Sequence, residues 1–263
     1  MEGFVYGYCV IPPPVTRHVI LELDSRQVII VGDVHGCLIE LQELLSDCDF
    51  DKEQDTLILV GDLVNKGPYS ASVVKYARSL GAYCVRGNHE EAALSYLLEV
   101  NPKSPPSTYD YLPSLDKEDI EWLRELPYSI FIPSLNALVI HAGLIPGIPL
   151  ELQSFNDLCT IRNILETRSE EDGSIVWEGT TSIDDGGDAW ASLYTAETAV
   201  ASGMETAPHI YFGHDAKRRL QFHPLATGLD TGCCYGDTLT AVLLPSKILK
   251  QCKAHEVYVE PGV

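Results

Sequence analysis

The chain predicts an α/β fold in which two mixed β-sheets pack face to face, with helices on the outside. Three observations carry that class. Short β-branched apolar runs alternate with amphipathic stretches through the first half, the second half reads mostly as strand, and no linker-like break divides the 263 residues. With 45% hydrophobic residues the chain can bury a sizeable core.

The elements follow in order. A strand over Gln27–Val31 leads to a helix over Leu38–Ser46, a strand over Thr56–Val60 to a helix over Ala71–Leu80, and a strand over Ala82–Val85 to a helix over Glu91–Leu98. A helix near Lys117–Leu126 follows, then strands near Ser129–Ile132, Ala137–Ile140, His209–Phe212, Leu220–His223 and Leu239–Leu243. The Pro-rich stretches Asn101–Pro113 and Ile11–Pro14 read as loops. Residues 1–24 are set apart as an N-terminal extension, and 25–263 as a single domain.

Five short blocks sit at the ends of these runs: Gly32-Asp33-Val34-His35-Gly36, Gly61-Asp62-Leu63-Val64-Asn65-Lys66-Gly67-Pro68, Gly87-Asn88-His89-Glu90, and the separate His141 and His214. Carboxylate oxygen, amide oxygen and neutral imidazole are the donors that manganese, iron or zinc prefer, and each block supplies one beside a glycine. Three blocks follow β-branched runs, so their ligands belong on turns at the C-terminal edge of buried strands, where such edges converge. Glycine there admits positive φ and close backbone approach. Any one block is ambiguous, since a lone Gly-Asp also serves as a turn or helix cap. Their joint occurrence in one order supplies every ligand that a two-metal centre needs.

On these residues the chain resembles the calcineurin-type metallophosphoesterases, in their phosphoprotein-phosphatase branch. Gly61–Pro68, Gly213-His214-Asp215-Ala216 and Gly228-Leu229-Asp230-Thr231-Gly232-Cys233 are more narrowly similar to the symmetrical diadenosine tetraphosphatases and their eukaryotic likenesses. The resemblance runs from about Arg26 to Leu244 and implies the family's four-layer sandwich. It also implies that Asp33, His35 and Asp62 hold one metal, while Asp62, Asn88, His141 and His214 hold a second, Asp62 bridging. Two such ions lie roughly 3.5–4 Å apart and clamp the attacking and leaving oxygens of an in-line displacement. The implied nucleophile is a metal-bridging hydroxide, because a dication lowers the pKa of bound water to about 7. His89 is placed to protonate the leaving oxygen, or else to orient. Arg86 either meets phosphate oxygens or pairs with Glu90, and Tyr235 is a candidate substrate contact.

Asn65-Lys66 departs from the protein Ser/Thr phosphatases, which carry Asp-Arg there. An amide accepts a hydrogen bond from imidazole without supplying negative charge, so His89 should lose its proton more readily than in those enzymes. A serine alkoxide needs a proton donor, whereas a phosphate released from an anhydride, with a second pKa near ~6, does not. Lys66 replaces a bidentate fork with a mobile point charge. Both changes favour a phosphoanhydride, and the resemblance names symmetrical cleavage of diadenosine tetraphosphate. Phosphoprotein, inorganic polyphosphate and capped RNA ends are the alternatives; a non-catalytic binding protein is disfavoured because no ligand is missing. Manganese is the expected ion, with iron, zinc or cobalt as alternatives.

Charge narrows the partners. A net charge of −20 argues against long-range attraction to nucleic acid or anionic membrane and leaves a small nucleoside polyphosphate as the expected partner. An acidic run from Glu166 to Asp188, including Glu170, Glu171, Asp172, Glu178, Asp184 and Asp185, reads as an exposed insertion, either solvated or gating the cleft. The 8 cysteines show no Cys-x-x-Cys pair, and most sit in apolar surroundings as reduced core residues. The start of the chain lacks a basic leader region and no run reaches membrane-spanning length, so the expected setting is the cytoplasm. His18, His209, His223 and His255 receive no role.

Overall fold

The computed structural model describes residues 3–6, 9–101, 103–168 and 175–261. Two sheets form its centre. The first runs Ile248–Lys253, Thr238–Leu244, Val28–Val31, Thr56–Leu59 and Tyr83–Cys84, and the second Gln221–His223, Ala226–Gly228, His209–Phe212, Ala137–Ile140, Ser129–Ile132 and His18–Ile20. Both are mixed. Val28–Val31, Thr56–Leu59 and Tyr83–Cys84 are mutually parallel, as are Ala137–Ile140, His209–Phe212 and Ala226–Gly228, with antiparallel partners at the flanks.

The period of two along each strand divides the apolar side chains between two cores. Val28, Ile30, Ile58, Val60 and Val85 meet Ile130, Ile132, Val139 and Tyr211 between the sheets. Ile29, Val31, Leu57 and Leu59 on one sheet, and Leu138, Ile140, Ile210 and Phe212 on the other, face outward into a core shared with helix residues. Helix Leu38–Asp47 contributes Leu41, Leu44 and Leu45 to it, and Ser70–Ser79 contributes Val73, Val74 and Ala77, the spacing of one helical face. These layers match the expected class. Because the strands carrying Asp33, Asp62 and Asn88 are parallel, their C-terminal ends open on one edge of the sandwich, and those leading to His141 and His214 do the same for the second sheet.

Several elements differ from the sequence reading. Within residues 1–24, His18–Ile20 pairs with Ser129–Ile132 as an edge strand, and Phe4, Ile11 and Leu21 are buried. Ile11, read as part of a loop, ends the strand Cys9–Ile11. The acidic segment folds as a hairpin, Asn163–Arg168 against Ile175–Thr180, with Asp188–Ala189 on its other side. Glu170, Glu171 and Asp172 lie outside the described residues. Seven cysteines are free and buried; the side chain of Cys9 lies outside what is described. Among the described residues no helix is long and apolar enough to cross a membrane.

Candidate active site

Three imidazoles are held in the same manner. His35 Nδ1 lies 2.9 Å from the Val64 carbonyl, His141 Nδ1 2.8 Å from that of Val60, and His214 Nε2 3.1 Å from that of Thr160. Each ring therefore donates its N–H to the backbone and turns its other nitrogen inward as a lone pair, the orientation that backbone carbonyls impose on metal-binding histidines. Burial pushes the His35 and His214 rings well below the ordinary imidazole value, with Lys66 and Arg162 respectively adding to the effect, so both are neutral.

The inward nitrogens of His141 and His214 meet acceptors, whereas that of His35 meets the Lys66 ammonium at 2.8 Å as well as a carboxylate. Asn88 Oδ1 lies 3.1 Å from His141 Nε2 and 3.0 Å from His214 Nδ1. Asp62 Oδ1 is 3.4 Å from His141 Nε2, and Asp62 Oδ2 is 3.4 Å from His35 Nε2. At His35 the Lys66 ammonium already faces the lone pair. The neutral His214 ring has one proton, already committed to a carbonyl, so its contact with Asn88 Oδ1 sets lone pair against lone pair unless a cation lies between them. The spacing fits one. An ion about 2.1 Å from each donor sets neighbouring donors about 3.0 Å apart at right angles and about 3.4 Å apart in a tetrahedron. Asp62, His141 and His214 form one group of donors within 4.8 Å of one another, and His35, Asp62 and His89 form another.

Charge balance points the same way. Asp33, Asp62 and Asp230 are all buried in one neighbourhood with the Lys66 ammonium as compensation. Burial, then Asp230 and Asp62, push the Asp33 carboxyl well above its usual range. For Asp62 burial acts in the same sense, but His141, His89, His35 and Lys66 together outweigh it and hold the group below. Burial likewise works against the Lys66 charge, and Asp62, Tyr235 and Cys234 together more than restore it. A divalent cation would neutralise the surplus carboxylates.

The backbone is shaped around these side chains. His35, Asp62, Asn65, Lys66 and His214 adopt left-handed φ of +45°, +49°, +67°, +68° and +67°, a cost of about 1–2 kcal/mol for an L-residue, and such outliers gather at functional sites. Glycine contributes space more than rotation at two positions. A Cβ on Gly87 would lie 2.3 Å from Asp62 Oδ1, and one on Gly213 would lie 1.9 Å from Asp33 Oδ1. Asp33 itself accepts from the His214 N–H at 3.1 and 3.0 Å. Asp33 is in neither group of donors; its carboxylate is tied to the His214 backbone and lies close enough to Asp62 and Asp230 to feel their charge.

Around the metal candidates, His89 is partly exposed, stands edge-on to His35 at 4.7 Å, and places Nε2 3.9 Å from Asp62 Oδ2. Burial lowers its imidazole to about 4. Asn65 Nδ2 is 2.9 Å from His89 Nδ1, while Asn65 Oδ1 is buried without a partner. Lys66 Nζ lies 2.8 Å from His35 Nε2 and 5.3 Å from the centre of the Tyr235 ring, which brings the two candidate substrate contacts together.

Arg86 corrects the sequence reading. Its guanidinium is fully buried, facing Glu91 Oε1 at 3.1 Å and the carbonyls of Arg124 and Pro12 rather than Glu90 or the cleft. Phosphate cannot reach it there. Glu90 takes an unforeseen part: its carboxylate accepts from the backbone N–H groups of Asp62 and Leu63 at 2.8 Å each and of Gly87 at 3.0 Å, fastening two ligand-bearing turns together. Its place in Gly87–Glu90 was the available signal. Arg162, which donates to the His214 carbonyl at 3.0 Å, carried none.

Residues 26–237 match the family model described as calcineurin-like phosphoesterase. The chain is 41% identical over 122 residues to the symmetrical bis(5'-nucleosyl)-tetraphosphatase of Hamiltonella defensa subsp. Acyrthosiphon pisum (strain 5AT), a match covering 44% of each protein. A protein of the same name from Photorhabdus laumondii subsp. laumondii is 40% identical over 126 residues, 46% of each. The chain thus spans less than half the length of these curated relatives. A solved structure described as a candidate diadenosine tetraphosphatase superposes with a TM-score of 0.77 at 36% identity, covering 91% of this chain and 98% of that one. A serine/threonine phosphatase from Saccharomyces cerevisiae shares the fold, with a TM-score of 0.57 and 17% identity over 93% of this chain and 85% of that one.

Proposed function

Because this chain belongs to the calcineurin-like phosphoesterase family, we propose that it is a two-metal phosphohydrolase cleaving the phosphoanhydride of a nucleoside polyphosphate, with diadenosine tetraphosphate split symmetrically. The observation that carries this reading is the convergence of Asn88 Oδ1 on His141 Nε2 and His214 Nδ1 at 3.1 and 3.0 Å, two rings whose other nitrogens already face backbone carbonyls, an arrangement that suits a shared cation. Asp33, His35 and Asp62 would hold one ion, and Asp62, Asn88, His141 and His214 the other, with Asp62 shared. Manganese is the expected metal, since carboxylate and amide oxygens are its preferred donors. When bound, such a pair supplies Lewis acidity toward phosphate oxygens and a solvent nucleophile at neutral pH.

The protein's own groups do the rest. Glu90 fixes the turn that presents Asp62, and Lys66 offers a mobile positive charge to phosphate oxygens beside Tyr235. Asn65 presents Nδ2 to His89 Nδ1, the reverse of the acceptor role expected of that amide, and this leaves the ring's proton on Nε2, the nitrogen turned toward Asp62 Oδ2. A neutral ring so arranged can donate a hydrogen bond to a departing oxygen but has no spare proton to transfer. That suits an anhydride, whose leaving phosphate needs none, better than a phosphoserine. The names of the relatives support the same substrate class.

The test offers the manganese-loaded protein diadenosine tetraphosphate, polyphosphate, capped RNA and a phosphoserine peptide in parallel. Two molecules of adenosine diphosphate per dinucleotide are expected. Preferential turnover of the peptide, or adenosine triphosphate with monophosphate as products, contradicts the reading. Asn65→Asp combined with Lys66→Arg should raise peptide turnover relative to the dinucleotide, and an unchanged ratio removes the argument from those two residues.

A further inference from the structure

Starting two residues after His35, whose carbonyl the Cys37 thiol faces at 3.8 Å, the fold gathers three side chains that the proposed reaction leaves unused. Cys37 precedes the helix Leu38–Asp47, Glu40 lies within its first turn, and Cys233 opens the turn Cys233–Tyr235 near the other end of the chain. All three are buried, at 0%, 0% and 2% exposure, and one donor atom from each lies within 4.8 Å of the other two. Glu40 shows that the group is incomplete. Its Oε1 accepts from the His255 N–H at 3.0 Å and from the Tyr258 hydroxyl at 2.7 Å, yet its Oε2 is buried with no hydrogen-bond partner. A carboxylate oxygen without a partner in the interior is a standing penalty that a cation removes.

We propose that Cys37, Glu40 and Cys233 form a third metal site, separate from the candidate catalytic pair and selective for zinc. Two sulfur donors and one oxygen donor suit a borderline-soft ion, whereas manganese prefers the oxygen-rich cluster around Asp62. Zinc takes three protein donors with solvent in its fourth position. Loading displaces the two thiol protons to solvent, so both sulfurs bind as thiolates. The ion ties the helix that begins just after His35 to the turn that carries Tyr235 beside Lys66, and through Glu40 to the segment containing His255 and Tyr258. It acts as a brace beneath the substrate end of the cleft.

Cobalt(II) tests this as a coloured substitute for zinc. None of the proposed catalytic ligands is a cysteine, so a thiolate-to-cobalt charge-transfer band in the near ultraviolet that disappears with Cys37 and Cys233 reports this site. The full chain, preloaded with manganese and titrated with cobalt under reducing conditions, should develop that band to saturation at one ion per chain and lose it on adding zinc. Cys37→Ser with Cys233→Ser should abolish the band. Glu40→Gln, whose amide oxygen still accepts from His255 and Tyr258, should keep the melting temperature and weaken cobalt binding at least tenfold. The proposal is overturned by a parent protein that shows no band, by a band unchanged in Glu40→Gln or in the double cysteine variant, or by a mass two hydrogens lower with no bound metal, which would mean a Cys37–Cys233 disulfide.

Discussion

Replacing Gly213 with alanine puts the tightest contact in the site under load. The new Cβ would stand 1.9 Å from Asp33 Oδ1 and 2.7 Å from Val60 Cγ2, where side chains do not approach within 3.0 Å, so the carboxylate must withdraw by about 1.1 Å. It has little room, being 3% exposed and held by the His214 N–H through both oxygens. Overpacking costs about 1–3 kcal/mol, and losing a hydrogen bond to a carboxylate about 1.5–3 kcal/mol, giving about 2.5–6 kcal/mol together. At about 2–4 °C per kcal/mol for a chain of this size, the melting temperature should fall by about 5–24 °C. Calorimetry in the presence of chelator reads that change, and a parallel manganese titration should show affinity reduced by about 10–100-fold. A variant that melts within about 1 °C of the parent and binds manganese equally well would refute the packing argument and the place given to Asp33.

Arg86→Ala should behave as a stability variant, losing about 3–5 kcal/mol because Glu91 is left buried without its ion-pair partner and with only the Tyr128 hydroxyl donating to it, with KM unchanged; a raised KM in a stably folded variant would return Arg86 to the cleft. Asn88→Ala should cut manganese affinity while leaving the melting temperature in chelator unchanged or higher, since it removes an acceptor from between two lone pairs; a lower value would mean that the contacts at 3.1 and 3.0 Å are true hydrogen bonds. At the surface, Glu43 holds the His255 ring above its ordinary 6.5, and His255 holds Glu43 below its ordinary 4.5. The histidine's contribution is full below 6.5 and fades as pH rises through its raised value, while the glutamate's is full above 4.5 and fades as pH falls through its lowered value. His255→Gln should therefore lower the melting temperature between those limits and leave it unchanged at alkaline pH, and a constant difference across the range would contradict the linkage.

Much of the architecture was legible because its signals are local. Val28–Val31, Thr56–Leu59 and Ala137–Ile140 are apolar runs buried on both faces, each followed within two residues by glycine or by a candidate ligand, so the run and the chemistry at its end could be read together. His18–Ile20 and Ala226–Gly228 were missed because three residues containing a histidine or a glycine carry almost no periodic signal and acquire strand geometry from their partners. The hairpin over Asn163–Arg168 and Ile175–Thr180 was hidden because Ile175, Val176 and Trp177 run consecutively and the first two are exposed, so no alternation of buried and exposed residues marks the strand. Arg86 misled through proximity to Asn88: distance along the chain does not say which way a side chain leaves the strand end, and the buried Glu91 decides that. Left-handed backbone at His35, Asp62 and His214 was equally invisible, because the expectation assigned such angles to the neighbouring glycines.

The central claim is that lone pairs from Asp62, Asn88, His141 and His214 converge on a cation, with a second ion across Asp62. Anomalous diffraction from manganese-soaked crystals locates such ions directly. Two peaks flanking Asp62, one bounded by Asn88 Oδ1, His141 Nε2 and His214 Nδ1 and the other beside His35 Nε2 and Asp33, are the predicted result; no peak between Asn88 and the two imidazoles at saturating manganese would contradict it.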